Sequence, residues 1–201
     1  MDGRTGPSPG GLRVGIAHHY GWAVAVTATA AHEVVDRRRI ELIGPGLPPA
    51  PVHHEGGAQV LHRTGPALDD GALAALVADV RASVVHATSA ALHDLAAGSP
   101  GPIESLSVRG WPADFPTDIA VCRRPPHESR ADSVMYCRVL GEVAAARGWR
   151  VHHYDARVVE ARATSILGDR ATAVLHGPRT VLGPPWSKDH RTALAATIVA
   201  A

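Results

Sequence analysis

Residues 12–43 read LRVGIAHHYGWAVAVTATAAHEVVDRRRIELI, and this stretch decides the fold. It divides into three extended segments at residues 12–18, 22–30 and 33–43, all rich in valine, isoleucine, alanine or threonine. Only a few residues separate one segment from the next. Connections this short join neighbouring strands that run antiparallel. The sequence therefore predicts a three-stranded meander.

Helices and strands alternate along the rest of the chain. Residues 44–66 contain many prolines and glycines and are predicted as a loop, after which Asp69 or Asp70 is placed to cap a helix. A break near residues 81–85 and a short extended piece at 119–122 are also expected. The predicted elements are a helix at 69–97, a strand at 103–109, a helix at 131–147, a strand at 151–154, helical pieces at 156–167 and 169–175, and a closing helix at 188–200.

Length and charge restrict the classes of protein that fit. A chain of 201 residues suits one domain, so residues 1–11 are predicted as a disordered tail and 12–201 as a single domain. The formal net charge is +1, which provides no strong overall field for DNA or for a membrane. A nucleic-acid partner would therefore need a local basic patch.

The cysteines and the apolar segments indicate a cytoplasmic location. Cys122 and Cys137 are too few for a disulfide scaffold and are expected to be reduced thiols. No charged-then-apolar leader opens the chain, and no apolar run reaches membrane-spanning length. We therefore expect a cytoplasmic protein without a membrane partner, and a homodimer stays open.

Three local motifs, together with the order of elements, resemble the RuvC branch of the ribonuclease H-like superfamily. Val14-Gly15-Ile16 followed by Gly21-Trp22-Ala23-Val24 is similar to that family's first hairpin. Lys188-Asp189-His190 is similar to the acidic start of its last helix, and residues 131–155 are similar to its helix and fifth strand. The resemblance implies an α/β fold: a five-stranded mixed sheet, three strands antiparallel and then two parallel, with helices on both faces. The chain is also similar to actinobacterial proteins of uncharacterised function.

The departures from that family concern its catalytic acids. The family cuts phosphodiesters with two magnesium ions held by carboxylates from strand one, strand four and the last helix. Ala17 stands at the first position, and Ser107 to Arg109 occupy the expected site edge of strand four. Only Asp189 remains, and one carboxylate cannot supply the oxygen ligands that two magnesium ions need. The resemblance therefore implies a degenerate, rebuilt site.

Topology brings several segments to one edge of the predicted sheet. The ends of strands one, four and five share that edge with the start of the last helix, and open sheets bind ligands at the carboxyl ends of parallel strands. The chain contains 19 arginines but a single lysine, Lys188, and this lysine lies at that helix start. An anionic, phosphate-bearing ligand is the simplest interpretation; the alternative is that the arginines pair with acids of their own loop. The predicted anion-binding residues are Arg109, Arg123, Arg124 and Lys188.

Proton transfer at this edge has several candidates. His18 and His190 are the predicted proton carriers, with Lys188 stabilising charge and Asp189 orienting a histidine of strand one. Asp189 and His18 are also the predicted ligands of one divalent ion, magnesium, manganese or zinc. Asp189 at the start of a helix has a sufficient structural role as well, because a carboxylate is favourable at that end of the helix dipole.

Three functions follow from these residues. The leading hypothesis is a nuclease-like phosphodiester hydrolase that binds nucleic acid or another phosphate-bearing ligand. The second is a non-catalytic module that binds nucleic acid or protein after losing its acids. The third is a small-molecule enzyme that acts on an anionic substrate.

Overall fold

A five-stranded mixed sheet forms the centre of the protein. The computed structural model describes residues 11–59, 63 and 65–200, so the predicted tail lies outside it except for Gly11. The strands follow the order β3-β2-β1-β4-β5 across the sheet. They are β1 (Leu12–His18), β2 (Trp22–Ala28), β3 (Val34–Glu41), β4 (Ile103–Arg109) and β5 (Arg150–Tyr154).

The pairing directions confirm the predicted topology. β1 pairs antiparallel with β2, and β2 pairs antiparallel with β3. The first turn closes where the N–H of His19 donates to the carbonyl of Trp22 at 2.8 Å, and Gly21 there has a φ of +82°, a conformation that glycine adopts without strain. β4 runs parallel to β1, and β5 runs parallel to β4. The carboxyl ends of β1, β4 and β5 therefore meet at one edge.

The helices differ from the prediction in several places, and one of them is Pro178–Leu182, which is helical although no helix was predicted there. The longest helix begins as expected, with the Asp69 carboxylate accepting from the N–H of Ala72 at 2.8 Å, but it continues without a break through residues 81–85. Residues 119–122 are helical rather than extended, because Asp118 caps them, and Val52–Gly56 forms a π-helical turn inside the predicted loop. The α-helices of the described residues are α1 (Asp70–Ala97), α2 (Ile119–Cys122), α3 (Glu128–Ala146), α4 (Val159–Leu167), α5 (Ala171–His176), α6 (Pro178–Leu182) and α7 (Lys188–Val199).

Helices cover both faces of the sheet, as predicted. α1 and α3 pack on one face, where Ile16 and Leu140 are fully buried in the larger core cluster. α4, α5 and α7 pack on the other face, around Leu194 and Ala17. Successive residues of a strand point to opposite faces. Along β1, even-numbered side chains therefore face α1 and α3, and odd-numbered ones face α7.

A close approach fixes α7 against β1. A Cβ atom added to Gly15 would lie 1.8 Å from the carbonyl oxygen of Ala193 on α7, a distance that real Cβ atoms do not show. Glycine is the one residue without a Cβ, so only glycine lets the helix backbone come this near to the strand. The contact positions the start of α7 at the tip of β1.

Helix α1 covers nearly the range predicted for it, 69–97, and has a long apolar composition. By length and composition alone its 28 residues could cross a membrane, a property that core helices share. Here it packs on the sheet through Val80, Val84 and Leu92, which are fully buried in the larger core cluster. The expectation that no run reaches membrane-spanning length is thus wrong, and the absence of a membrane partner stays a prediction.

Candidate functional site

An open cavity of about 940 Å³ lies at the carboxyl ends of β1, β4 and β5. β1 supplies His18, β4 supplies Arg109, and the loop after β4 supplies Trp111. The wall opposite the sheet comes from α3, which contributes Ser133 and Cys137. The cavity thus forms at the edge that the topology predicts for a ligand.

His18 faces α3 and is held there by two side chains. Its Nε2 lies 2.9 Å from Oγ of Ser133 and 3.5 Å from Sγ of Cys137, which also lies 3.7 Å from Nδ1. Burial, helped by the positive charge of Arg109, lowers the pKa of His18 from 6.5 to about 4. His18 is therefore a neutral imidazole at neutral pH.

His19 makes the contact with the start of α7. Its Nε2 lies 3.1 Å from Oδ2 of Asp189, and its ring stacks on Trp22 with 4.2 Å between the ring centroids. The guanidinium of Arg39 lies 4.1 Å from the centroid of the Trp22 ring. Asp189 thus orients a histidine at the end of β1, as the topology predicts, but that histidine is His19, which lines the cavity, and not His18.

Arg109 is the cation at the end of β4. Its charge lowers the pKa of His18 and opposes the effect of burial on the pKa of Cys137 and Tyr154, so it lies within electrostatic reach of all three. In the described part of the chain no carboxylate forms an ion pair with Arg109. Arg157, which also lines the cavity, is in contrast paired with Asp155 at 3.0 Å.

Arg123 and Arg124 do not join Arg109, so the predicted set of anion-binding residues is not assembled as expected. Arg123 donates to the carbonyl of Gly56 at 3.0 Å and forms an ion pair with Asp70 at the start of α1. Because residues 119–122 fold as a helix, Arg123 is turned toward α1 and ties the 52–58 segment to it. Arg124 is exposed and lies outside the cavity lining.

His190 and Lys188 also lie outside the cavity lining. The imidazole of His190 is buried, with Nδ1 2.9 Å from Oγ of Ser187, and together they cap the start of α7. Burial lowers the pKa of His190, which packs against Trp186. Lys188 is exposed on the first turn of α7, and it makes no ion pair with any other residue the structure describes. His190 therefore serves as a capping residue.

The arrangement does not fit the metal site of the ribonuclease H-like family. The described residues contain no group of three His, Cys, Asp or Glu side chains that could hold an ion. Ala17 is apolar, and Ser107 faces a separate small pocket behind the sheet. Asp189 and His18, the predicted pair of ligands, make separate hydrogen bonds to His19 and Ser133. One divalent ion stays a prediction.

The remaining histidine pairs do not converge on this cavity as a set. His53 and His54 lie in the π-helical turn, with ring centroids 5.2 Å apart. His153 reaches the cavity, where its ring centroid lies 4.7 Å from that of Trp111. His152 is half-buried beside a smaller pocket and is not packed in the core, because β5 lies at the edge of the sheet.

Comparison with known proteins supports the fold. Solved structures of RuvC from Thermus thermophilus are similar to this chain, and the complex with a Holliday junction substrate matches with a TM-score of 0.51 at 11% sequence identity. That match covers 94% of this chain and 91% of RuvC. A second RuvC structure gives a TM-score of 0.49 at 10% identity, over 94% and 92% of the two chains. No protein-family model and no curated protein matches the sequence.

At this level of identity the likeness defines a class of fold. The protein is an α/β protein with a ribonuclease H-like fold of the RuvC type. The strand order and the helices on both faces agree with that assignment.

Proposed function

We propose that the protein binds a phosphate-bearing strand of nucleic acid in the carboxyl-end cavity, with Arg109 as the principal cation. The observation that carries this proposal is an arginine in an open cavity with no carboxylate paired to it among the described residues. Arginine binds phosphate through two parallel hydrogen bonds, and contacts of this kind dominate nucleic-acid affinity. Arg130, which also lines the cavity, adds a second positive charge.

Two further observations support nucleic acid as the ligand. A RuvC structure with the same fold is a complex with a Holliday junction substrate. Trp111 lines the cavity and offers a ring on which a base can stack, an interaction that does not depend on base identity. Lys188, exposed at the start of α7, is placed to extend the contact along the phosphate backbone.

Phosphodiester cleavage is the catalytic part of the proposal. His19 lines the cavity and its Nε2 contacts Asp189, so His19 takes the place of His190 as a proton carrier. His18 keeps its predicted role, because a neutral imidazole can accept a proton. Asp189 positions His19 and does not itself reach the cavity lining.

Binding is tested with a matched pair of arginine variants. Fluorescence anisotropy with labelled single strands, duplexes and four-way junctions should show tight binding that weakens linearly with the logarithm of salt concentration. Arg109→Ala should reduce affinity about tenfold or more. It should also make the slope of log affinity against log salt concentration shallower by about one. Arg150→Ala removes the same charge at the opposite end of β5 and should change affinity less than twofold. Equal losses in the two variants would contradict a cavity-centred site.

Cleavage is tested separately from binding. The same substrates are incubated with magnesium, manganese, zinc or a chelator, using the native protein, Lys188→Ala and Asp189→Ala. Cleavage that is lost in Asp189→Ala supports the nuclease. Retained binding without turnover under every condition supports the non-catalytic module.

One observation favours a second function. The cavity volume of about 940 Å³ falls within the range of small-molecule sites. An enzyme acting on a small anionic substrate would use the same Arg109. Saturable binding of inorganic phosphate or a small carboxylate, without affinity for any oligonucleotide, would select this function.

A further inference from the structure

We propose that Ser133 is the nucleophile of this cavity and that His18 activates it, so that phosphodiester cleavage proceeds through a phosphoserine-type intermediate without a metal ion. This inference rests on the proposed function, because it assumes a phosphodiester bound beside Arg109. It adds a residue and a reaction path that the fold family's carboxylates do not supply.

The geometry of the Ser133–His18 pair matches an activated hydroxyl. Oγ of Ser133 and Nε2 of His18 are 2.9 Å apart, within the range of a nucleophile and its base, and both line the cavity. Sγ of Cys137 lies 3.7 Å from Nδ1 and can accept its proton weakly. In the tautomer that carries the proton on Nδ1, Nε2 is bare and accepts from the serine hydroxyl.

Cys137 is not the nucleophile, although it also contacts His18. Its side chain is in the core, with a relative exposure of 2%. Burial raises the pKa of the Cys137 thiol to about 12, so the thiolate is scarce at neutral pH. Ser133 is half-buried and opens onto the cavity, which leaves its hydroxyl the accessible group.

The reaction balances with these residues and water. In the first step Oγ of Ser133 bonds to phosphorus while its proton passes to Nε2 of His18. The bond from phosphorus to the leaving oxygen breaks, and the leaving oxygen keeps the electron pair. That oxygen then takes the proton from His18. Arg109 offsets the negative charge of the phosphoryl oxygens. In the second step water gives a proton to His18 and bonds to phosphorus, and Oγ of Ser133 leaves and recovers that proton. The net change is hydrolysis of a diester to a monoester and an alcohol.

The first test is covalent capture by a fluorophosphonate ester in the presence of a chelator. Attack by an activated serine displaces fluoride and leaves a stable phosphonyl group that peptide mass spectrometry can locate. We expect the label on Ser133, and a loss of labelling rate of about 100-fold or more in Ser133→Ala and in His18→Gln. Ser165→Ala, which removes an exposed hydroxyl of α4 outside the cavity lining, should label at the native rate.

The second test follows turnover and binding in the same proteins. Bis(4-nitrophenyl) phosphate should release nitrophenolate with the native protein and with Ser165→Ala, and about 100-fold more slowly with Ser133→Ala. Oligonucleotide affinity measured by anisotropy should stay within about threefold in Ser133→Ala, because phosphate contacts and not the hydroxyl carry the affinity.

The outcomes separate this inference from the proposed function. No label on Ser133, or equal turnover in Ser133→Ala, overturns the nucleophile even when oligonucleotides bind. Labelling and turnover that depend on Ser133, without oligonucleotide binding, support the nucleophile and overturn nucleic acid as the ligand.

Discussion

His18 and His19 are consecutive residues with different partners. His18 contacts Ser133 on α3, and His19 contacts Asp189 on α7. The topology alone predicts that Asp189 meets a histidine of β1. The choice between the two depends on which helices cover which face of the sheet, and the sequence pattern does not decide that.

The sequence did not indicate Ser133 as a site residue, because polar residues on a helix usually face solvent. Ser133 and Cys137 are four residues apart on α3, a spacing that places two side chains on one helical face. The same face carries Leu140 and Ala144, which are fully buried. That spacing is the signal that indicates an inward-facing serine.

At the scale of single residues, the lowered pKa of His18 leads us to expect that the folded protein loses stability in acid. Its pKa in the folded protein is about 4, below the ordinary value of 6.5, so the unfolded chain takes up a proton first as the pH falls. The stabilising contribution is complete above pH 6.5 and is lost as the pH falls toward about 4, by about 3 kcal/mol in total. The difference in unfolding free energy between the native protein and His18→Gln, measured with urea between pH 4 and 7, should show this slope. An identical slope in the variant would rule out His18 as its source.

Asp132 predicts a pH dependence of the opposite sign. Burial raises the pKa of this carboxyl from 3.8 to about 7, although the N–H groups of Val52 and His53 donate to its oxygens and pull the pKa downward. The unfolded chain therefore releases its proton first, and stability is lost as the pH rises from about 4 to about 7. Asp132→Asn should flatten this loss in the same unfolding experiment. If the stability of Asp132→Asn relative to the native protein does not rise between pH 4 and 7, the assignment is contradicted.

At the scale of elements, Arg37 of β3 links the edge of the sheet to the segment before α7. Its guanidinium donates to the carbonyls of Leu182 at 2.8 Å and Gly183 at 2.9 Å, and also to that of Pro185. These carbonyls lie at and just beyond the end of α6, where no helical N–H groups remain to bind them. Arg37 thus holds the segment that leads into Ser187 and Asp189.

Removing this link should loosen the start of α7. Arg37→Ala leaves several carbonyls without their charged donor, and we expect the free energy of unfolding to fall by about 2 kcal/mol. Arg81→Ala, which breaks an exposed ion pair with Glu142, should cost less than about 1 kcal/mol. Chemical unfolding of both variants at pH 7 makes the comparison. Equal losses would show that Arg37 is an ordinary surface residue.

Helix boundaries were predictable where a cap and an apolar stripe coincide, as at Asp69 before α1. They were not predictable at 119–122, where Asp118 caps a short helix and Cys122 packs into a small core cluster. Arg123 follows that helix, so its role depended on the same local fold. Short elements are decided by tertiary contacts that local pattern does not encode.

At the scale of the whole molecule, the directions of the strands were the most predictable feature. Short connections force β1, β2 and β3 into a meander, and the alternation of helices and strands after them favours parallel additions. The layers on the two faces follow from that order. The cavity follows as well, but its chemistry depends on side chains that only the packed structure brings together.

Gly15 links the packing of α7 on β1 to the geometry of the site. Gly15→Ala places a methyl group against the backbone of Ala193, so we expect a loss of about 3 kcal/mol in unfolding free energy and weaker oligonucleotide binding. Gly101→Ala is the control, because a Cβ there would meet no atom within 4 Å. Thermal and urea unfolding of both variants measure the difference. An unchanged stability in Gly15→Ala would mean that α7 can move away without cost.

Side chains along β1 alternate between the two faces of the sheet, so removing an odd number of residues would exchange the faces to which the remaining side chains point. Deleting one residue between Gly15 and His18 would exchange the two imidazoles, so that each would meet the helix layer of the other. Deleting two residues would return each imidazole to its own helix layer but would shorten the end of β1. We therefore expect the surface connections to tolerate insertions and deletions better than residues 15–18 do.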